Sequence, residues 1–225
     1  MLVAEELLLL AHDADRAGPS LFDDAPYRLA GALLVELVLA HRVTLGPRPG
    51  TSRPQDLLVV VLDPAPTGRP ELDRALALAG SQPFRASDLV ERLARQVERP
   101  LIDSLEARGL LRPEQRTTWG VLRSTRWRAV PGPAVVTLRR RVERALLDGA
   151  PPEDRTAALL TLADGAGWLL SRVPRDRRRE AEARTHEVAE SWWRGTAGRE
   201  AAGGVVAATM AVITSAALVL PVAAT

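Results

Sequence analysis

Residues 27–41 read YRLAGALLVELVLAH. At about 3.6 residues per turn this is a helix of about four turns, and Arg28 and Glu36 are its only charged residues. A helix that is apolar on most sides is buried by other helices. The stretch therefore predicts a mainly α fold: a helical bundle core surrounded by amphipathic helices, with small β-hairpins at its margins. The flanking segments are read as what covers it.

Upstream, Leu2–His12 (LVAEELLLLAH) has a broad apolar face and reads as a short helix, closed by a Gly18-Pro19-Ser20 turn. The pairs Glu5-Glu6 and Asp23-Asp24 point apart on a helix or turn, and are expected as solvated surface acids rather than a catalytic couple. Glu5 and Glu6 also stand where a secretion signal needs basic residues, so the chain is expected in the cytoplasm.

Downstream, Arg42–Leu45 and Leu57–Leu62 read as a hairpin with a long loop. Residues 63–70 (DPAPTGRP) are a turn, and Glu71–Ala79 a short helix. In the next helix Leu89, Leu93, Val97, Leu101 and Leu105 recur every fourth residue. Ser87-Asp88 would cap it, Pro100 would kink or split it, and Gly109 would stop it. Further on come a basic helix over Val135–Leu147, a helix from Pro151-Pro152 to about Val173, and a charged helix over Pro174–Arg194. The uncharged segment Ala201–Thr225 is long enough to cross a bilayer. Nine of its 25 residues are Ala and two are Gly, so a buried helix is the preferred reading and a membrane-embedded tail the second. The whole chain, residues 1–225, reads as one domain.

Composition narrows the chemistry. There is no cysteine, which excludes disulfides and thiolate metal sites. His12, His41 and His186 are far apart in sequence, so no metal site is expected. No phosphate-cradling glycine loop, HExxH or GxSxG is present, and neither an enzyme nor a cofactor is expected. All 30 basic residues are arginine, as a GC-rich bacterial genome would encode, so single arginines carry little weight. Their distribution carries more. Met1–Leu111 holds 12 arginines against 16 acids, net −4, and Arg112–Glu200 holds 18 against 12, net +6. A basic half of this size points to an anionic partner, phospholipid or nucleic acid.

Within that half, Thr117–Val130 (TTWGVLRSTRWRAV) interleaves Trp119 and Trp127 with Arg123, Arg126 and Arg128 on a strand–turn–strand. Rings beside guanidiniums suit a membrane interface. They also suit the wing of a winged helix-turn-helix over Leu89–Val130, with Arg95, Arg99 and Arg108 facing DNA. Glu91, Glu98, Asp103 and Glu106 on the would-be recognition helix oppose a duplex. DNA binding is therefore the alternative, and nucleic acid is not the expected partner.

Six segments in order resemble the Golgi phosphoprotein 3 family and its bacterial relatives. MLVAEELLLLAH is similar to its opening helix, PSLFDD to its aromatic-plus-acid loop, and LLVELVLAHRVTL to its buried helix and following strand. PTGRPELDRAL resembles its Pro-Thr-Gly turn, VERPLIDSLEARGLL its helix ending in Gly-Leu-Leu, and EDRTAALLTLADGAGWLL its "RT-ALL-LA" helix. The resemblance implies a four-helix core and peripheral membrane association. In eukaryotic members it implies recognition of phosphatidylinositol 4-phosphate through a loop tryptophan and three arginines, with a hairpin that aids insertion and self-association. The tryptophan falls on Phe22. One arginine falls near Ala30, two residues from Arg28. The others fall on Arg95 and on Glu98, which neighbours Arg99. The hairpin falls on Thr117–Val130.

The combined expectation is a non-enzymatic protein on the inner face of the cell membrane that binds anionic phospholipid. Phe22, Arg28, Arg95 and Arg99 would meet the headgroup, and Trp119, Arg123, Arg126, Trp127 and Arg128 would form the membrane-interface hairpin. Cytoplasmic tails of membrane proteins and a second copy bound through the hairpin are the further partners that the resemblance implies.

Overall fold

A computed structural model of the chain describes residues 1–13, 24–47, 56–118, 122–170, 173–194 and 196–219. Its axis is α2 (Ala25–Leu39), in which every residue from Arg28 to Val38 is buried. Pro26 lies in the first turn, where a missing N–H costs nothing. Around α2 pack α1 (Val3–Asp13), α3 (Pro70–Ser81), α4 (Ala86–Ala107), α6 (Asp154–Ala163) and α8 (Ala197–Val219). Two outer helices, α5 (Pro133–Leu147) and α7 (Arg178–Ser191), cover α6.

The α2–α8 contact explains the small residues of α8. A Cβ added at Gly31 of α2 would lie 2.3 Å from Thr209 Oγ1, so the Thr209 side chain seats against the α2 backbone as only glycine allows. Similarly, a Cβ at Gly203 would meet the Trp193 side chain at 2.6 Å, and one at Gly204 would meet Leu45 at 2.6 Å. Ala201, Ala202, Val205, Val206, Ala208 and Val212 are buried. The described part of the uncharged tail is thus a core helix, and among the described residues no helix is long and apolar enough to cross a membrane. Its start is held by Asp154 of α6, which accepts from Trp192 Nε1 at 3.0 Å and Arg199 Nε at 2.9 Å.

The expected first hairpin pairs β1 (Val43–Gly46) with β2 (Leu58–Val61), Val43 opposite Val61. A two-residue third strand, β3 (Phe84–Arg85), adds to β2; it is too short to show a period in sequence. The second hairpin joins β4 (Leu111–Thr118) to β5 (Leu122–Ala129).

Three expectations need correction. The helix read to Val173 stops at Ala163, where Gly165 and Gly167 have φ of +73° and +75° and turn the chain away. The helix with Pro100 is not split: α4 runs 22 residues through it, because its apolar face, from Leu89 to Leu105, is buried on both sides of the proline. Glu5 and Glu6 are not solvated but 0% and 3% exposed.

Those two carboxylates, with the buried Glu36 of α2, form a charged lattice inside the bundle. Glu5 accepts from the Leu2 backbone N–H at 2.8 Å, from Arg69 before α3 at 2.6 Å and from Arg108 after α4 at 2.8 Å. Glu6 pairs with Arg141 of α5. Glu36 pairs with Arg155 of α6 and accepts from the Val3 N–H at 2.9 Å. Breaking a buried pair of this kind costs about 3–5 kcal/mol, because it leaves a charge without water or partner. Burial raises the pKa of Glu6 above its ordinary 4.5, against the opposing pull of Arg141.

Two outcomes follow. Gly31→Ala should destabilise the chain by about 1–3 kcal/mol in urea unfolding, and Thr209→Ala in the same chain should recover part of the loss by clearing the clash. Because Glu6 holds its proton more tightly when folded, its contribution is full below pH 4.5 and declines as pH rises through the folded value. Glu6→Gln should remove that decline, so unfolding free energy measured from pH 4 upward should slope less in the variant; parallel slopes would contradict the assignment.

Candidate functional site

The outer side of α4 carries Arg92, Arg95 and Arg99, all exposed. Steps of three and four residues place them on one helical face. Arg92 lies over the Phe84 ring, 6.0 Å from its centroid. Arg99 pairs with Asp103 at 2.8 Å and sits 5.9 Å from the Trp127 centroid, within cation–π range. Arg95, between them, makes no ion pair with any described residue.

The end of α4 aims the hairpin at this row. Gly109 takes φ +66°, its N–H donates to Glu106 O at 2.8 Å, and the Leu110 N–H donates to Leu105 O at 2.8 Å. This is the Schellman arrangement, and it reverses the chain directly into β4. Side chains then alternate across the ladder. Leu111 and Ala129 face each other and are buried, which fixes the inward face. Trp127, opposite Pro113 on that same face, is half-buried against the core and reaches Arg99. Arg126 and Arg128 take the other face, where Arg128 Nε donates to Glu114 at 2.8 Å. The mixture of rings and charges in the sequence thus separates into an inward tryptophan and outward arginines.

Arg28 turns inward. It is 3% exposed; its Nη1 donates to Leu162 O at 2.6 Å and Asp164 O at 2.7 Å, and its Nη2 to Asp24 at 2.6 Å. It satisfies the open carbonyls at the end of α6 and lies 5.8 Å from the Trp168 centroid. Among the sequence-derived candidates, then, Arg99 and Trp127 come together beside Arg95, while Arg28 is committed to the interior. Phe22 and Trp119 lie outside the described residues. Arg123 pairs with Thr117 across the ladder, and its side chain is outside them as well. Sequence reading missed Arg92, although its three-residue spacing from Arg95 was visible.

A family model described as Golgi phosphoprotein 3 (GPP34) matches residues 3–208, nearly the whole chain. The chain belongs to that family. No curated protein gives a match. Seen as a Golgi phosphoprotein 3 fold, the segments that suggested the family are mostly structural. The paired glutamates of the opening helix are Glu5 and Glu6 of the buried lattice. The glutamate of the buried helix is Glu36, and the arginine of the "RT" pair is Arg155, its partner; Thr156 beside it is buried.

The Pro-Thr-Gly turn also has a role. Gly68 takes φ +79°, and Thr67 donates from both its N–H and its hydroxyl to Asp73 Oδ1, each at 2.6 Å, locking the turn onto α3. The Thr67 hydroxyl and then its N–H hold the Asp73 carboxyl below its ordinary 3.8. A lowered carboxylate contributes stability above its unfolded pKa and loses it as pH falls through the folded one. Thr67→Val should therefore unfold at lower urea than the parent at pH 7 and lose part of that deficit in acid, because the parent's advantage disappears there.

Proposed function

We propose that this Golgi phosphoprotein 3 family member is a non-enzymatic peripheral membrane protein that docks on anionic phospholipid headgroups. One observation carries the reading. Arg92, Arg95 and Arg99 form an exposed row on α4 that continues, through the Arg99–Trp127 contact, onto a hairpin with arginines on its outer face. Guanidinium groups at such a surface meet phosphate oxygens by charge-assisted hydrogen bonds. Each contributes about 1 kcal/mol near an anionic bilayer.

The neighbouring acids set the character of the binding. Asp103 shares Arg99 and Glu114 shares Arg128, so the face attracts anions without being uniformly basic. Weak, salt-sensitive docking on anionic lipid in general fits this pattern better than selection of one phosphoinositide. The inner leaflet, where anionic lipid meets the cytoplasm, is the proposed location.

Vesicle flotation tests the reading. The chain should float with vesicles of phosphatidylcholine and phosphatidylglycerol, and stay below with phosphatidylcholine alone. Raising ionic strength should release it, since screening shortens the reach of exposed charges. Arg95→Glu with Arg99→Glu removes about 2 kcal/mol of attraction and adds repulsion, and should weaken binding at least about thirtyfold. Equal flotation on both vesicles, or a double variant that floats as well as its parent, would overturn the proposal.

A further inference from the structure

The arginine row on α4 has two ends and a middle. Arg92 is held over Phe84, 6.0 Å from the ring centroid, and Arg99 over Trp127 at 5.9 Å. The two rings belong to different elements, β3 and β5, so the outer guanidiniums are drawn apart rather than together. A guanidinium stacked on a ring spends its face and keeps its in-plane N–H donors. Arg95, between them, is exposed and makes no ion pair with any described residue.

Three arginines in a line leave two gaps, one between Arg92 and Arg95 and one between Arg95 and Arg99. At about 1.5 Å per residue, the centres of the gaps lie roughly 5 Å apart along the helix. Arg95 borders both gaps, and its planar fork of donors serves both.

Acids close the row. Asp88 stands a turn before Arg92 and pairs with Arg85 at 2.8 Å. Asp103 stands a turn after Arg99 and pairs with it at 2.8 Å; Glu106 follows. Helical spacing puts Glu91 and Glu98 on the flank beside Arg95. From Arg85 to Arg108 there are five arginines and five acids. The helix as a whole is therefore neutral, and spacing rather than net charge has to choose the ligand.

We propose that this row binds diphosphatidylglycerol, a lipid whose two phosphodiesters are joined by a single glycerol, with one phosphate in each gap. The inference rests on the membrane-docking reading and names the lipid that the same face prefers. One glycerol holds the two phosphates about as far apart as one turn of helix, roughly 5 Å, which is the separation of the gaps. Each phosphodiester carries a single negative charge and meets two guanidiniums by charge-assisted hydrogen bonds.

Other phosphate ligands fit less well. A phosphomonoester concentrates nearly two charges at one point, beside Glu91 or Glu98, and leaves the second gap empty. A nucleic-acid strand repeats its phosphates beyond both gaps and would run onto Asp88 at one end or Asp103 at the other, where like charges repel. A two-phosphate lipid ends where the row ends. Once its first phosphate is seated, the glycerol delivers the second at high local concentration.

Flotation of the full chain with two kinds of phosphatidylcholine vesicle tests this. One kind contains diphosphatidylglycerol and the other phosphatidylglycerol, at equal phosphate content, so surface charge is the same and only the tether differs. Binding to the diphosphatidylglycerol vesicles should be at least about tenfold tighter. Arg92→Gln combined with Gln96→Arg keeps the charge of α4 but breaks the line, and both side chains are exposed. This exchange should bind phosphatidylglycerol as the parent does and lose the preference. A short DNA duplex at the same phosphate concentration should leave the chain on diphosphatidylglycerol vesicles. The inference is overturned by equal flotation on the two vesicles, by a preference that survives the exchange, or by displacement with DNA. Equal flotation would leave docking on anionic lipid standing, whereas failure to float with either vesicle would end both.

Discussion

Three carboxylates inside the bundle, Glu5, Glu6 and Glu36, determine where the surrounding elements can sit. Each is buried, and each is met by arginine from a segment remote in sequence: Arg69, Arg108, Arg141 and Arg155. Hydrophobic burial is non-directional and would allow helices to slide or rotate over α2. A buried carboxylate does not, because its partner must arrive within hydrogen-bond distance or leave a charge stranded. The apolar surface of α2 draws the helices in, and the charge lattice fixes their setting. Arginine suits this role: its fork can satisfy a carboxylate while its hydrocarbon stem lies along the core.

Much of the architecture was legible because single segments carried it. Tyr27–His41 could only be a buried helix. The fourth-residue rhythm from Leu89 to Leu105 could only be one covered face. The alanines and glycines after Ala201 signalled close packing, and Gly31 against Thr209 shows that contact in atomic terms. What escaped the sequence depended on partners far along the chain. Glu5 and Glu6 looked solvated because nothing nearby neutralises them. The helix read to Val173 looked continuous because its cap is Arg28, more than 130 residues earlier.

The candidate face divides in the same way. Arg95 and Arg99 were found from sequence, and their row with Arg92 follows from helical spacing alone. The hairpin was found as an element, but its content was read as one mixed patch. Its alternation became decidable only once Leu111 and Ala129 were seen to be buried, which assigns Trp127 inward and Arg126 and Arg128 outward. Trp127 therefore acts first as a joint between hairpin and helix, beneath Arg99.

The charge lattice also has a temporal side. A ribosome delivers α1 first, yet Arg69, Arg108, Arg141 and the Arg155 that binds Glu36 beside it appear only as synthesis proceeds. Until residue 155 has emerged, burying α1 and α2 together would strand at least one carboxylate. The opening helices must therefore wait, wet and loosely associated, for contacts of long sequence separation, which form late and slowly. The order of assembly is thus written into the positions of four arginine–glutamate pairs: the N-terminal third of the chain is the last part able to become dry.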